Sequence, residues 1–132
     1  MQNDTNKDFR DLIFEKYKNK ITLALKVCAH CSLCAESCFL YNNKKDPSYT
    51  PSYKFINSIG KFFNLHKKKK EPDNQALEEA KNLVWEKCVL CTRCYCPFGL
   101  DIPEMITLGR SICRTYDVLP DFDKINNLKE NI

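Results

Sequence analysis

Glycine is scarce in this sequence, with three residues among 132. No phosphate-binding loop of the G-x4-G-K type occurs, and so few glycines argue against nucleotide binding. Catalytic patterns are missing as well, since there is no constellation of Ser, His and Asp and no pair of carboxylates beside a cleft signature. We therefore expect no enzymatic activity from the chain alone and assign any catalysis to a partner.

Long apolar stretches and strong charge are also missing. No stretch approaches the ~20 apolar residues that a membrane span needs, so we expect a soluble chain. The formal net charge of +4 is small and argues against nucleic acid as the main partner. Nothing resembling a signal peptide precedes the cysteine-rich part, and dense thiols are typical of a reducing compartment or of metal binding. These observations predict a cytoplasmic location.

Cysteine, by contrast, is abundant, and eight of the nine cysteines fall into two short runs. The first run, from Cys28 to Cys38, has the C-x2-C-x2-C-x3-C spacing of the bacterial iron–sulfur pattern and lacks only its proline. The second run, from Cys88 to Cys96, keeps the opening triplet and the closing Cys-Pro but shortens the last gap. Two such runs predict two [4Fe–4S] clusters, and a protein with two clusters and little else transfers electrons.

The spacing also predicts which cysteines share a cluster. A cubane cluster needs four thiolates that converge from the corners of a tetrahedron, and a triplet with two-residue gaps can supply three of them. In two-cluster proteins the fourth thiolate usually comes from the other run, which would pin the two halves of the chain together and couple cluster binding to folding. The predicted ligand sets are Cys28, Cys31, Cys34 and Cys96 for one cluster, and Cys88, Cys91, Cys94 and Cys38 for the other.

The single residue between Cys94 and Cys96 leaves an alternative open. Neighbours i and i+2 in an extended segment point to opposite sides, which would let these two cysteines serve different clusters. If the geometry forbids this, one of them is not a ligand and Cys113 is the nearest spare thiol. We expect Cys113 to be a buried small hydrophobe on a helix. His30 lies inside the first run, where we expect it beside the cluster, because all four cysteines of that run are present.

Other uses of the cysteines fit the spacing less well. Structural zinc takes pairs of cysteines with a second pair ~15–20 residues on, rather than consecutive triplets. A disulfide scaffold is typical of secreted chains. The competing hypothesis from another functional class is a scaffold protein without redox activity, whose zinc ions or clusters merely hold helices together for interaction with a partner.

The segments around the two runs predict helices. Apolar residues at three- and four-residue steps from Phe9 to Leu25 indicate one amphipathic helix or two short ones. We expect Asn74 to be the N-cap of a helix that leads into the second run, and Asp101 to cap the last helix. A further helix after Pro51 is predicted to have one apolar face, formed by Tyr53, Ile56, Ile59, Phe62 and Phe63.

No segment of length alternates with the period of a strand, so the predicted fold class is all-α. The length predicts a single dicluster iron–sulfur domain over residues 1–132, with a helical extension at 1–19 and a polar tail at 117–132. The apolar content is too small for a large core, so the clusters are expected to supply part of the stability.

The chain resembles the α-helical ferredoxin module. That module occurs as the C subunit of heterodisulfide reductase and in the iron–sulfur subunits of succinate dehydrogenase and glycolate oxidase. The closer similarity is to the N-terminal iron–sulfur part of the K-type, heterodisulfide-reductase-like subunits of membrane redox complexes in sulfate reducers. The stretches that carry the resemblance, within roughly residues 20 to 117, are Cys28-Ala-His-Cys31-Ser-Leu-Cys34-Ala-Glu-Ser-Cys38, Pro51-Ser-Tyr-Lys54 and Cys96-Pro-Phe-Gly-Leu-Asp-Ile-Pro103.

The resemblance implies an α-helical ferredoxin-like fold with clusters in loops between helices, and a subunit that relays electrons within an oxidoreductase complex. In the family, the electrons pass to a cysteine-rich domain with Cys-Cys-Gly motifs that reduces a disulfide. This sequence, which ends at Ile132, contains no such motif. Either that domain is a separate partner subunit, with peripheral membrane association through a membrane subunit, or the acceptor differs. A third hypothesis is that the chain is the N-terminal part of a longer disulfide reductase.

Overall fold

The computed structural model describes the backbone of residues 2–120 and the side chains of residues 5–120. Within this part of the chain the regular structure is helical and no residue lies in a strand, which confirms the all-α prediction. The first helix, α1 (Gln2–Val27), is unbroken, so the periodic segment before the first cysteine run forms one helix rather than two. The predicted tail at 117–132 lies outside the described residues from position 121 onward.

Between the two cysteine runs the chain forms a short helix and then a longer rod. The short helix is α2 (Phe39–Lys44). The rod consists of α3 (Pro51–Phe55), a π-helical turn (Ile56–Gly60) and α4 (Lys61–Lys67), which follow one another without interruption. Proline suits the first helical position because its missing N–H would have no partner there. Turns of π-helix occur often at functional sites.

A second rod precedes the second run, and the last helix follows it. The second rod consists of α5 (Asn74–Lys81) and a further π-helical turn (Asn82–Glu86). The expected N-cap at Asn74 is wrong by one residue, because the Asp73 carboxylate accepts the bond from the backbone N–H of Ala76 at 2.7 Å. The last helix, α6 (Ile102–Thr115), is capped by Asp101 as predicted.

The core lies where α1, α6 and the two rods meet. Its fully buried apolar side chains include Ile21, Phe55, Ile59, Val84 and Ile112. None of the helices in residues 2–120 combines the length and apolar character that crossing a membrane requires.

Gly109 allows α6 to approach both rods closely. A Cβ atom at this position would lie 3.1 Å from Cγ1 of Val84 and 3.2 Å from Oγ of Ser58. These two neighbours belong to the two π-helical turns, so α6 crosses both rods at the same level. This contact fixes the two rods relative to each other, and it thereby fixes the relative positions of the two cysteine runs that adjoin them.

A buried arginine attaches the N-terminal half of α1 to the end of α6. Nε of Arg10 donates to Oγ1 of Thr115 at 3.0 Å, and its Nη2 donates to the carbonyl of Thr115 at 3.2 Å. The guanidinium also lies 3.5 Å from the centre of the Tyr116 ring. These contacts dock the segment that the sequence predicted as a helical extension.

Candidate metal-cluster site

Both cysteine runs are irregular loops that begin where a helix ends. The first run follows α1 and enters a 3-10 turn (Leu33–Ser37) that holds its third cysteine. The second run follows the π-helical turn that ends at Glu86 and continues to the N-cap of α6. The first run is therefore positioned by the end of α1. The second run is positioned by the end of the second rod and the start of α6.

The two loops share an unusual backbone conformation. In the first run His30 and Ser32 have φ values of 57° and 63°, and in the second run Leu90 and Thr92 have 57° and 64°. These residues flank the middle cysteine of each triplet, at matching positions. Left-handed backbone costs a non-glycine residue roughly 1–2 kcal/mol, and such strain persists at functional sites. The matching geometry indicates that both loops are shaped for the same task.

Thiols from both runs surround one cavity, which we name the first cavity. Four cysteines line it, and the rest of its wall consists mainly of apolar side chains such as Phe55 and Ile102. Of the residues that line it within the described chain, none is charged, and Ser52 and Ser32 are the ones with hydroxyls. The four cysteines are Cys28, Cys31, Cys34 and Cys96.

The other four thiols surround a second cavity, which is also lined by the start of α3. Pro51, Pro103 and Ile106 contribute to its wall, and Lys54 is the charged residue among those that line it in the described chain. The four cysteines of this second cavity are Cys38, Cys88, Cys91 and Cys94.

The two groups of cysteines coincide with the two ligand sets that the sequence predicted. Each cavity takes three cysteines from one run and one from the other. Cys94 and Cys96, which are separated by one residue, line different cavities, so the short gap is compatible with the crossed arrangement. Ligation by these cysteines stays a prediction, and their grouping is a property of the fold.

Hydrogen bonds reach the sulfur atoms in both cavities. The backbone N–H of Leu90 donates to Sγ of Cys88 at 3.4 Å, and Nζ of Lys54 donates to Sγ of Cys38 at 3.7 Å. In the first cavity the backbone N–H and the hydroxyl of Ser52 interact with Cys34. Donors aimed at sulfur stabilise thiolates and are one of the means by which proteins set the potential of iron–sulfur clusters.

Burial opposes ionisation of two of these thiols, Cys34 and Cys94, in the metal-free chain. It raises the pKa of Cys34 above its ordinary value, although the hydrogen bonds from Ser52 act in the opposite direction. It raises the pKa of Cys94 to about 11, and the nearby thiols of Cys88 and Cys91 add to this effect. Crowded, buried thiolates need positive charge close by, and the iron ions of a cluster would supply it.

A single metal ion and a cluster make different demands on such thiols. A structural zinc ion needs four ligand atoms about 2.3 Å from one point, whereas a [4Fe–4S] cluster binds each thiolate at a separate iron. Among the described residues, no group of three or more His, Cys, Asp or Glu side chains is arranged to hold one metal ion.

Cys113 and His30 line neither cavity. Cys113 is 0% exposed, and burial raises its pKa to about 12. These properties agree with the expected role of a small buried hydrophobe. His30 is exposed on its loop, at one of the four left-handed positions.

The roles of Lys54, Ser52 and Arg110 were not predicted from the sequence. Lys54 is buried, whereas Tyr53, which was expected on the apolar face, is 43% exposed, so that prediction was wrong at the start of the helix. The buried face of α3 therefore differs from the predicted apolar face at its first turn, because Pro51, Ser52 and Lys54 line the two cavities there. On α6, Arg110 donates to the carbonyls of Val84 and Cys88 at 2.7 and 2.9 Å and so fixes the start of the second loop.

Comparison with known proteins finds one family. The family model of the 4Fe-4S dicluster domain matches residues 27–101, which is more than half of the 132 residues. The match begins one residue before Cys28 and extends beyond Cys96, so both runs lie within it. No curated protein and no solved structure gives a significant match to the chain.

Proposed function

Because the chain belongs to the 4Fe-4S dicluster family, with its iron–sulfur electron-transfer role, we propose that it is a relay subunit that holds two [4Fe–4S] clusters. The observation that carries the proposal is the division of eight cysteines into two sets of four, each around its own cavity. A cluster bound in either cavity would supply one-electron oxidation and reduction, at a potential set by charge, hydrogen bonds to sulfur and solvent access.

The residues of each cavity would bind the group and shield it from water. Cys28, Cys31, Cys34 and Cys96 would be its ligands in the first cavity, and Cys38, Cys88, Cys91 and Cys94 in the second. Apolar side chains of α3 and α6 would exclude water from the buried side of each site. The middle cysteine of each triplet is exposed, so one corner of each site faces solvent. A redox partner would approach the chain at these corners.

We further propose that the partner is a heterodisulfide-reductase-like subunit with a Cys-Cys-Gly domain, and that the pair works in the cytoplasm, with peripheral membrane association through a membrane subunit. The three stretches that resemble the α-helical ferredoxin module support this proposal. Val89, Tyr95 and Phe98, on the second loop and beside it, are exposed apolar side chains that a partner subunit would cover.

The iron and acid-labile sulfide content of the anaerobically purified chain tests the relay function, together with electron paramagnetic resonance of the reduced protein. We expect about eight irons and eight sulfides per chain and interacting signals from two reduced clusters. About four irons would contradict the second cluster. Zinc without iron would overturn the redox role and favour the scaffold hypothesis.

The proposed partner needs a separate test. Reduced chain is mixed anaerobically with the Cys-Cys-Gly-domain protein encoded nearest to it, and the loss of cluster signal is followed. Rapid reoxidation by that protein, but not by an unrelated disulfide-containing protein, is the expected result. Equal rates with both would contradict a dedicated partner while leaving the relay function intact.

A further inference from the structure

The first turn of α3 lies between the two cavities and presents a different polar side chain to each. Ser52 lines the first cavity, and Lys54, two residues on, lines the second. Pro51 begins this turn and is itself part of the wall of the second cavity. One short piece of helix therefore contributes a polar side chain to each cavity.

Lys54 is buried and directed at a cysteine sulfur. Its exposure is 1%, and Nζ lies 3.7 Å from Sγ of Cys38. The Tyr49 ring is a further neighbour of the ammonium group, at 5.9 Å from Nζ. A buried lysine requires a partner that compensates its charge. A thiolate that belongs to a negatively charged cluster would be such a partner.

A second cation is also close to the second cavity. Nη2 of Arg110 donates to the carbonyl of Cys88 at 2.9 Å. The first cavity differs, since none of its lining residues in the described chain is charged and the groups that act on Cys34 are the neutral N–H and hydroxyl of Ser52. The two cavities therefore differ in electrostatic potential although their cysteine sets are alike.

We propose that Lys54 makes the two redox sites unequal, so that the site of Cys38, Cys88, Cys91 and Cys94 has the higher reduction potential. The inference rests on the proposed function. Reduction adds one negative charge, and a buried cation beside a ligand sulfur stabilises that charge more than neutral dipoles do. Lys54 acts through Cys38 and is thus a positioning residue. In the one-electron-reduced chain, the added charge therefore resides at the site of Cys38, Cys88, Cys91 and Cys94.

Stepwise reduction of the full, cluster-loaded chain at controlled potential, followed by electron paramagnetic resonance, tests this inference. The wild-type chain should show two separate midpoint potentials. Lys54→Met should lower the higher midpoint by a shift equivalent to at least about a tenfold change in the reduction equilibrium, which is about 59 mV for one electron. The lower midpoint should move much less, and Lys54→Arg should retain most of the wild-type separation.

Lys87→Met is the matched control. Nζ of Lys87 lies 5.2 Å from the same Tyr49 ring and donates to Oγ of Ser48 at 2.6 Å, but Lys87 does not line the second cavity. Like Lys54→Met, this substitution removes one positive charge from beside the Tyr49 ring, but it removes no donor to sulfur. Its effect on the higher midpoint should be clearly smaller than that of Lys54→Met.

Ser52→Ala provides an independent measurement if Lys54→Met does not load its clusters. Loss of the hydroxyl donor to Cys34 should lower the lower midpoint and leave the higher one in place. A shift of the higher midpoint by Ser52→Ala that equals or exceeds its shift of the lower one would overturn the inference. So would a shift of the lower midpoint by Lys54→Met as large as that of the higher one, or a single midpoint in the wild-type chain. Failure of the wild-type chain to bind about eight irons would instead overturn the proposed function.

Discussion

Nη2 of Arg110 on α6 donates a hydrogen bond of 2.9 Å to the backbone carbonyl of Cys88, the first residue of the second cysteine run. The same guanidinium donates through Nε to the carbonyl of Val84 at 2.7 Å, in the π-helical turn. Carbonyls at a helix end have no partner within the helix, so a half-buried donor from a neighbouring helix replaces the missing bonds. The arginine thereby joins α6, the second rod and the second loop.

Arg110→Met should loosen this junction. Two charge-assisted hydrogen bonds are lost, and we expect the free energy of unfolding to fall by about 2–3 kcal/mol. Urea unfolding of the cluster-loaded chain, followed by helical circular dichroism and by loss of cluster absorbance, measures the change. Arg114→Met, one turn further on α6 at an exposed position 5.2 Å from the Trp85 ring, is the control and should cost less. Equal losses would contradict a special role for Arg110.

The crossed partition of the cysteines predicts a specific pattern in double variants. Cys38→Ala with Cys91→Ala removes two ligands from one cavity, so one cluster should be lost and about four irons should remain. Cys38→Ala with Cys31→Ala removes ligands from both cavities, although both residues belong to one run, so both clusters should be lost. Iron and sulfide analysis after anaerobic purification distinguishes the two results.

Both double variants remove Cys38 together with one exposed middle cysteine of a triplet, so they are matched in burial. If each run instead bound its own cluster, the results would be reversed. Cys38→Ala with Cys91→Ala, which alters both runs, would then lose both clusters. Cys38→Ala with Cys31→Ala, which alters one run, would keep about four irons.

The sequence suggested a grouping of the thiols because the spacing of a triplet, together with the crossed fourth ligand usual in two-cluster proteins, restricts which cysteines can converge. Three cysteines at two-residue gaps must surround one space, and the i, i+2 pair Cys94 and Cys96 must diverge if its segment is extended. The N-cap Asp101 was equally clear, since a carboxylate before a helical pattern has few other roles. Asp73 and Asn74 are both good caps in adjacent positions, so the sequence could not choose between them.

The burial of Lys54 could not be predicted in the same way. Hydrophobic periodicity placed Tyr53 on the apolar face and did not include Lys54, because lysine is rarely buried without a partner. The partner, Cys38, is 16 positions earlier in the chain and meets Lys54 only once α3 is packed between the two loops. Tertiary contacts of this kind decide the electrostatics of the site, and they leave no periodic signal in the sequence.

Thr92 is a β-branched residue held at a φ of 64°, where glycine would be unstrained. Thr92→Gly should therefore raise the free energy of unfolding by roughly 0.5–1 kcal/mol, the relieved strain less the added chain entropy of glycine. Thr107→Gly, at an exposed position inside α6, is the control and should lower it by about 1 kcal/mol. Urea unfolding measures both. A loss of stability in Thr92→Gly as large as in Thr107→Gly would show that the left-handed conformation carries no strain.

Cys113 should respond to pH as a buried, neutral thiol. Burial raises its pKa from 9.0 to about 12 in the folded chain. In the unfolded chain the thiol ionises above about pH 9, whereas in the folded chain it keeps its proton. The stability that depends on the neutral thiol is thus fully present below pH 9 and is lost as the pH rises towards 12.

Cys113→Ala isolates this contribution, since the other thiols are common to both proteins. We expect the wild-type chain to lose about 1 kcal/mol of unfolding free energy relative to the variant between about pH 8 and about pH 10. Because Cys113 lines neither cavity, the variant should also keep about eight irons. A parallel pH dependence in the two proteins would mean that the thiol is not buried in solution. A fall to about four irons would make Cys113 a ligand and would exclude one member of the pair Cys94 and Cys96.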